Sequence, residues 1–271
     1  MHIPPAVAHR PGSWRLLYFD APNRGEQVRI LFALAGTPFD DVRLKYPEGL
    51  NPYKKAAMGD ASPLLGTDLC PAVTAPDGTH CVETSDIMRF VGARVGWAPP
   101  EGSAADAKAM EVVLEMQSVM NGVFYGALRS AVVQRVFAQE FFGALWLARG
   151  LVGGVADPEP MAKLEAALPR LEANIDGPYV AGATPCYADC SVFAILREVL
   201  DFDDFRKRRA SLLEPHPKLA ALLEAMEEQA APYIDKRVET HQMGIRRSTD
   251  LFAAMNTPLP GFLSRIKRTR E

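Results

Sequence analysis

The chain is poor in cysteine, with four among its 271 residues, and no two are spaced as Cys-x-x-Cys. Cys70, Cys81, Cys186 and Cys190 are too few for a disulfide scaffold, and the missing spacing excludes a dithiol motif of that kind. Cys186 and Cys190 stand four apart, but no histidine lies at ligand spacing from them, so no metal is expected. Reduced, structural thiols fit a reducing compartment, and a cytoplasmic location is expected. No apolar run reaches the roughly 18 residues that a membrane-spanning helix needs. Residues 1–13 lack the apolar centre of a signal peptide and read as an irregular extension. An excess of one charge is lacking too, since 30 Lys and Arg face 33 Asp and Glu for a net charge of -3. A dedicated nucleic-acid binder would be clearly basic, so no nucleic-acid partner is expected.

Apolar residues are plentiful at 48%, enough for the cores of two modest domains. The first stretch mixes short strand-like runs with helices. Arg15 to Phe19 has strand length, and Arg24 to Ala35 places Val28, Leu31, Phe32 and Ala35 at helical spacing before Gly36. Asp41 to Lys45 alternates like a strand. Pro71 to Ala75 and Thr79 to Val82 flank a Pro-Asp-Gly turn, which predicts a hairpin. Thr84 to Val95 reads as a helix. The order β-α-β, then β-β-α, is that of a thioredoxin-like domain, with a right-handed crossover joining a parallel first pair.

Adjacent prolines in Ala98 to Gly102 then suit a linker. Beyond it the pattern is helical: a long stretch from Asp106 to Ser130, an apolar-rich one from Ala131 to Leu151, then Met161 to Asn174, Tyr187 to Leu200 and Pro217 to Ala231. The expected division is an extension over 1–13, an α+β domain over 14–96, a linker over 97–103, an all-helical domain over 104–239 and a tail over 240–271. That tail holds six basic residues against two acidic ones, too sparse over its length for a nucleic-acid site.

Specific motifs lie on this frame. Tyr18-Phe-Asp-Ala-Pro-Asn-Arg24-Gly25-Glu26 resembles the first strand and helix of the Tyr-type cytosolic glutathione transferases, the sigma class most closely. Cys70-Pro71-Ala-Val resembles the family's cis-proline segment, and Glu83-Thr84-Ser-Asp-Ile-Met-Arg-Phe its Gln/Glu-Ser-x-Ala-Ile-x-Arg-Tyr motif. Tyr179 to Gly182 with Cys186 to Asp189 resembles the stretch that caps a central helix. The resemblance spans about residues 14 to 238. It implies a thioredoxin-like glutathione domain followed by a helical bundle, and a transferase for which glutathione is co-substrate.

The resemblance also implies roles. Tyr18 would donate to the glutathione thiolate, with Arg24 adding a second contribution. The main chain of Cys70, turned outward by Pro71, would pair with the cysteinyl unit. Glu83 and Thr84 would hold the γ-glutamyl end at a helix N-terminus. Lys54 and Lys55 are the candidates for the glycyl carboxylate, and Phe19 is a further wall. Met116, Met120, Phe124 and Tyr125 are candidates for the electrophile pocket, although their helical spacing fits plain core equally. Glu115 is the candidate for an acid reaching across a homodimer. Three positions depart from the family pattern: Leu69 replaces a Gln or Asn, Cys186 a capping Ser or Thr, and a Trp/Lys pair has no clean equivalent. These departures leave open a non-catalytic scaffold on the same fold. A thiol redox protein is disfavoured, because Tyr18 stands where such relatives carry cysteine.

Overall fold

The computed structural model describes residues 12–45, 48–124, 126, 160–201 and 203–240. Strand β1 (Trp14–Phe19) leads into helix α1 (Asn23–Leu34) and strand β2 (Phe39–Leu44). A 3₁₀ segment (Glu48–Tyr53) and the single turn α2 (Lys55–Met58) precede β3 (Ala72–Thr74), β4 (His80–Val82) and α3 (Thr84–Val95). The sheet order is β2-β1-β3-β4, with β1 and β2 parallel and the other pairs antiparallel.

Alternation along β1 divides the side chains between two layers. Trp14, Leu16 and Tyr18 share a core with Val28 and Phe32 of α1 and Ile87 and Val91 of α3. Leu17 points the other way, into a smaller cluster with Leu44, Leu50, Tyr53 and Leu64. Trp14 stitches the first layer together, its ring 5.4 Å from that of Phe32 and 6.0 Å from that of Phe90.

After α3 stops at a left-handed Gly96, α4 (Ala104–Val119) starts with Ser103 Oγ accepting the Asp106 N–H at 3.1 Å. It ends in a π-helical turn, Met120–Phe124. Helices α5 (Pro160–Ala173), α6 (Tyr187–Val199), α7 (Asp203–Leu213) and α8 (Pro217–Thr240) follow. Helix α6 is the hub, buried along nearly its whole length. Its start is secured by Asp189, which accepts the N–H groups of Val180 at 2.8 Å and Cys186 at 2.7 Å. Asp106 ties the halves together, accepting from Arg89 of α3 at 2.6 Å and from the Tyr187 hydroxyl of α6 at 3.2 Å. Among the described residues no helix is long and apolar enough to cross a membrane.

Three expectations need correction. The stretch expected as one helix from Asp106 to Ser130 starts two residues earlier and changes to π geometry at Met120. Its end, and the apolar stretch of 131–151, lie outside the described residues, as do residues 1–11 and 241–271. The last helix does not stop at Ala231. It continues through Pro232 to Thr240, because Ile234 and Arg237 beyond the proline are buried against the body. Helix α7 went unread because Asp-Asp-Phe-Arg-Lys-Arg-Arg resembles a solvated charge run, yet Phe205 and Leu212 anchor it at 4% and 5% exposure.

Candidate functional site

The ladder registers line up the motif residues. Leu17 faces Ala72 and Ala72 faces Val82. Tyr18 follows Leu17, Pro71 precedes Ala72 and Glu83 follows Val82, so three separate motifs come to the same end of the sheet. The Cys70–Pro71 peptide is cis.

Tyr18 is 5% exposed, on the layer facing α1. Its ring lies on Gly25, where a Cβ atom would come within 2.3 Å of Tyr18 Cδ1. Only glycine admits the ring there. The Arg29 guanidinium carbon is 5.7 Å from the ring centroid, and the Phe19 ring is 5.7 Å away.

Arg29 has no exposed surface and holds the main chain just after Tyr18. Its Nη2 donates to Phe19 O at 3.2 Å, its Nη1 to Ala21 O at 2.7 Å, and its Nε to Asp41 at 3.0 Å. Burial disfavours its charge, but Asp41 and Glu26 outweigh burial and raise its pKa. Glu26 is itself 1% exposed and accepts from Arg237 Nη1 at 2.6 Å and from the Tyr233 hydroxyl at 3.1 Å. Arg29 Nη1 lies 3.6 Å from its other oxygen, and Glu198 lies 3.9 Å from Arg237. The end of α8 is therefore wired through α1 to the loop that follows Tyr18. Arg29 and Arg237 were missed in the sequence; the only signal was a Glu26/Arg29 pair at i, i+3 on a face otherwise apolar.

Arg24 is half-buried and turns toward α4, its Nη1 donating to Gln117 Oε1 at 3.0 Å and its Nη2 to Asn121 Oδ1. Gln117 Nε2 continues to Gln27 Oε1 at 3.1 Å. Gln117 and Asn121, four apart, line the α1–α4 seam, and the sequence offered no sign of them.

Glu83 adopts φ 66°, a left-handed conformation unusual for a residue with a side chain and often kept for function. It stands exposed at the start of α3, where its own side chain makes no capping hydrogen bond, and Thr84 beside it is buried. Cys70 is half-buried; burial pushes its thiol up to about 12, against a main-chain bond from Phe19 and the Arg29 charge. It contributes main chain, not a nucleophile.

Lys54 is half-buried just before α2, and Lys55 Nζ lies 3.4 Å from Asp60. The Lys55 N–H donates to Asp68 at 2.9 Å, two residues before Cys70, which ties this loop to the sheet end. Leu69 is 62% exposed. Glu115 pairs within the chain, 2.6 Å from Arg170 of α5. Met116, Met120 and Phe124, the candidates for the electrophile pocket, are buried. All three have 0% exposure, packed among α4, α5 and α6. Tyr125 lies outside the described residues.

Residues 157–237 match the family model of the glutathione S-transferase C-terminal domain. No curated protein matches the sequence. The glutathione S-transferase from Ascaris lumbricoides is 22% identical over 83% of this chain and 97% of its own, with a TM-score of 0.58. Monomeric Na-GST-3 from the hookworm Necator americanus is 19% identical over 83% of this chain and 97% of its own, also at 0.58. The Pi-class enzyme of Onchocerca volvulus is 16% identical over 84% and 94%, again at 0.58. A small mixed four-stranded sheet followed by helices is the architecture they share with this chain. The chain thus has the glutathione transferase fold, and its residues 157–237 are similar in sequence to that family's C-terminal domain.

Proposed function

We propose that the chain is a glutathione transferase of the Tyr type, sigma-like, with its glutathione site at the β1–β3–α3 end of the sheet. The observation that carries this reading is that Tyr18, Pro71 and Glu83, each next to the paired positions Leu17, Ala72 and Val82, lie at the same end of the sheet. The Cys70 main chain pairs with the cysteinyl unit like an added strand. The free N–H groups opening α3 take the γ-glutamyl carboxylate, and Glu83 takes its ammonium. Lys54 or Lys55 holds the glycyl carboxylate.

Free glutathione is only a few per cent thiolate near pH 7, because a cysteine thiol titrates near 8.5. Each unit of lowering needs about 1.4 kcal/mol, which one hydrogen bond from a phenol to a thiolate supplies. Tyr18 makes that bond as a preorganised donor. Arg24, held by Gln117 and Asn121 at the α1–α4 seam, supports the same charge. The thiolate then conjugates, or isomerises, an apolar electrophile. Homodimerisation belongs to this reading, supported by exposed Leu114 on α4 at 54% and Leu65 at 55%. So does a cytoplasmic location.

Calorimetric titration with glutathione, combined with turnover of a chlorinated aromatic, tests the proposal. Tyr18→Phe should still bind glutathione and lose roughly tenfold to a thousandfold in turnover. An unchanged rate with intact binding rules out Tyr18 as the activator. The departure from the family pattern at Leu69, which is 62% exposed beside Cys70, supports a second reading, a non-catalytic scaffold on this fold. That reading expects no turnover by the unaltered chain.

A further inference from the structure

Helix α7 presents four consecutive basic residues, Arg206, Lys207, Arg208 and Arg209, and all four are exposed. Exposed Ala210 and Ser211 come next, in the helix's last turn. Ser211 Oγ donates to a main-chain oxygen of its own helix, Arg208 O at 2.9 Å. Phe205 and Leu212 are the helix's buried anchors, and Arg208 reaches α5 through Glu165 at 2.7 Å, both side chains being about half exposed. Helix ends open more readily than helix centres. Ser211 is therefore accessible, and two guanidinium groups precede it by two and three residues.

We propose that Ser211 is a phosphorylation site for a serine kinase whose substrate groove is lined with carboxylates, and that the phosphate loosens the last turn of α7. The carboxylates of the groove pair with Arg208 and Arg209 once the last turn of α7 unwinds. Ser211 Oγ attacks the γ-phosphorus of ATP, forming a new O–P bond. The bond to the β-phosphate oxygen breaks and ADP leaves with its electrons, while the hydroxyl proton passes to the kinase's own carboxylate base. The product carries a charge of about -1.5 to -2 at the C-terminal end of a helix, where the dipole disfavours it. Its strongest neighbours are Arg208 and Lys207, three and four residues back on the same face. Arg208 then turns from Glu165 to the phosphate, and that ion pair to α5 is lost.

The test uses the full chain with ATP and the catalytic subunit of a cyclic-AMP-dependent protein kinase, with sites read by mass spectrometry. The expected result is phosphate on Ser211 in the native chain, none there in Ser211→Ala, and at least a tenfold slower reaction in Arg208→Ala/Arg209→Ala of unchanged circular dichroism. Hydrogen exchange in α7 should quicken on phosphorylation, and Glu165→Gln should produce part of the same change without kinase. The proposal is overturned by phosphate on Ser248 or Thr249 with Ser211 bare, or by labelling of Ser211 only in urea. Equal rates in the double arginine variant, or unaltered exchange in α7, overturn it as well.

Discussion

Arg237→Met is the sharpest perturbation of this fold that leaves every residue of the proposed glutathione site in place. Arg237 is 3% exposed and Glu26 1%, their nearest atoms are 2.6 Å apart, and they join α8 to α1. Removing one partner of a buried ion pair costs about 3–5 kcal/mol, because the other charge stays behind. Here Glu26 retains the Tyr233 hydroxyl at 3.1 Å and Arg29 at 3.6 Å, which argues for the lower end, about 3 kcal/mol. For a chain of this size each kcal/mol lowers Tm by roughly 2–4 °C, so the expected drop is about 6–12 °C. Glu26→Gln should cost a comparable amount, because it leaves two buried guanidinium groups with less counter-charge. Glu26→Gln/Arg237→Met should cost clearly less than the two singles together, by about 1.5 kcal/mol or more. Urea and thermal melts, followed by both far- and near-ultraviolet circular dichroism to test coincidence, supply the numbers. Additive single costs, or a loss under about 1 kcal/mol for Arg237→Met, would refute the ion-pair account.

Gly25→Ala puts a methyl within 2.3 Å of Tyr18 Cδ1, so it should cost roughly 1–3 kcal/mol and displace the ring, seen as a changed near-ultraviolet tyrosine band; an unchanged band and melt would mean that the ring does not rest there. With its thiol pushed up to about 12, Cys70 should react with iodoacetamide at pH 8 roughly a thousandfold more slowly folded than unfolded, and comparable rates would show an unburied sulfur. Asp106 keeps a folded pKa below its ordinary value: burial opposes this, but the Gly102 N–H, Arg89 and the Tyr187 hydroxyl together outweigh it. Its contribution is therefore present above about pH 4, the unfolded value, and is lost as pH falls through the lower folded one. Asp106→Asn should be less stable at neutral pH and lose less further stability on acidification, and parallel urea-midpoint curves from pH 6 to 2 would contradict that.

The arrival of Tyr18, Pro71 and Glu83 at one end of the sheet was legible because their motifs sit where chain direction is already constrained. Tyr18 ends an apolar run of strand length, Pro71 opens another, and the Pro-Asp-Gly turn sets the hairpin that brings Glu83 alongside Pro71. Register arithmetic does the rest, since a two-residue period admits few alternatives. Partners distant in sequence were not legible. Nothing in Asp-Lys-Arg237 announces Glu26, 211 residues earlier, and nothing in Gln117 or Asn121 announces Arg24. Helical spacing at Met116, Met120 and Phe124 says that a face is apolar, not whether a ligand or a neighbouring helix covers it. Pro232 shows propensity yielding to packing, because the contacts of Ile234 and Arg237 outweigh one missing hydrogen bond.

The carboxylate of Glu26 also bears on whether the two halves of the chain are separable. A fragment cut after Val95 would carry Glu26 without its main counter-ion, on a surface built to be dry. Grafting this sheet unit onto a helical unit from another source would strand the same charge unless the donor offers a cation at the height of Arg237. Recombination of the halves is thus restricted to donors matching one residue near the far end of the sequence, a restriction that neither half displays when considered singly.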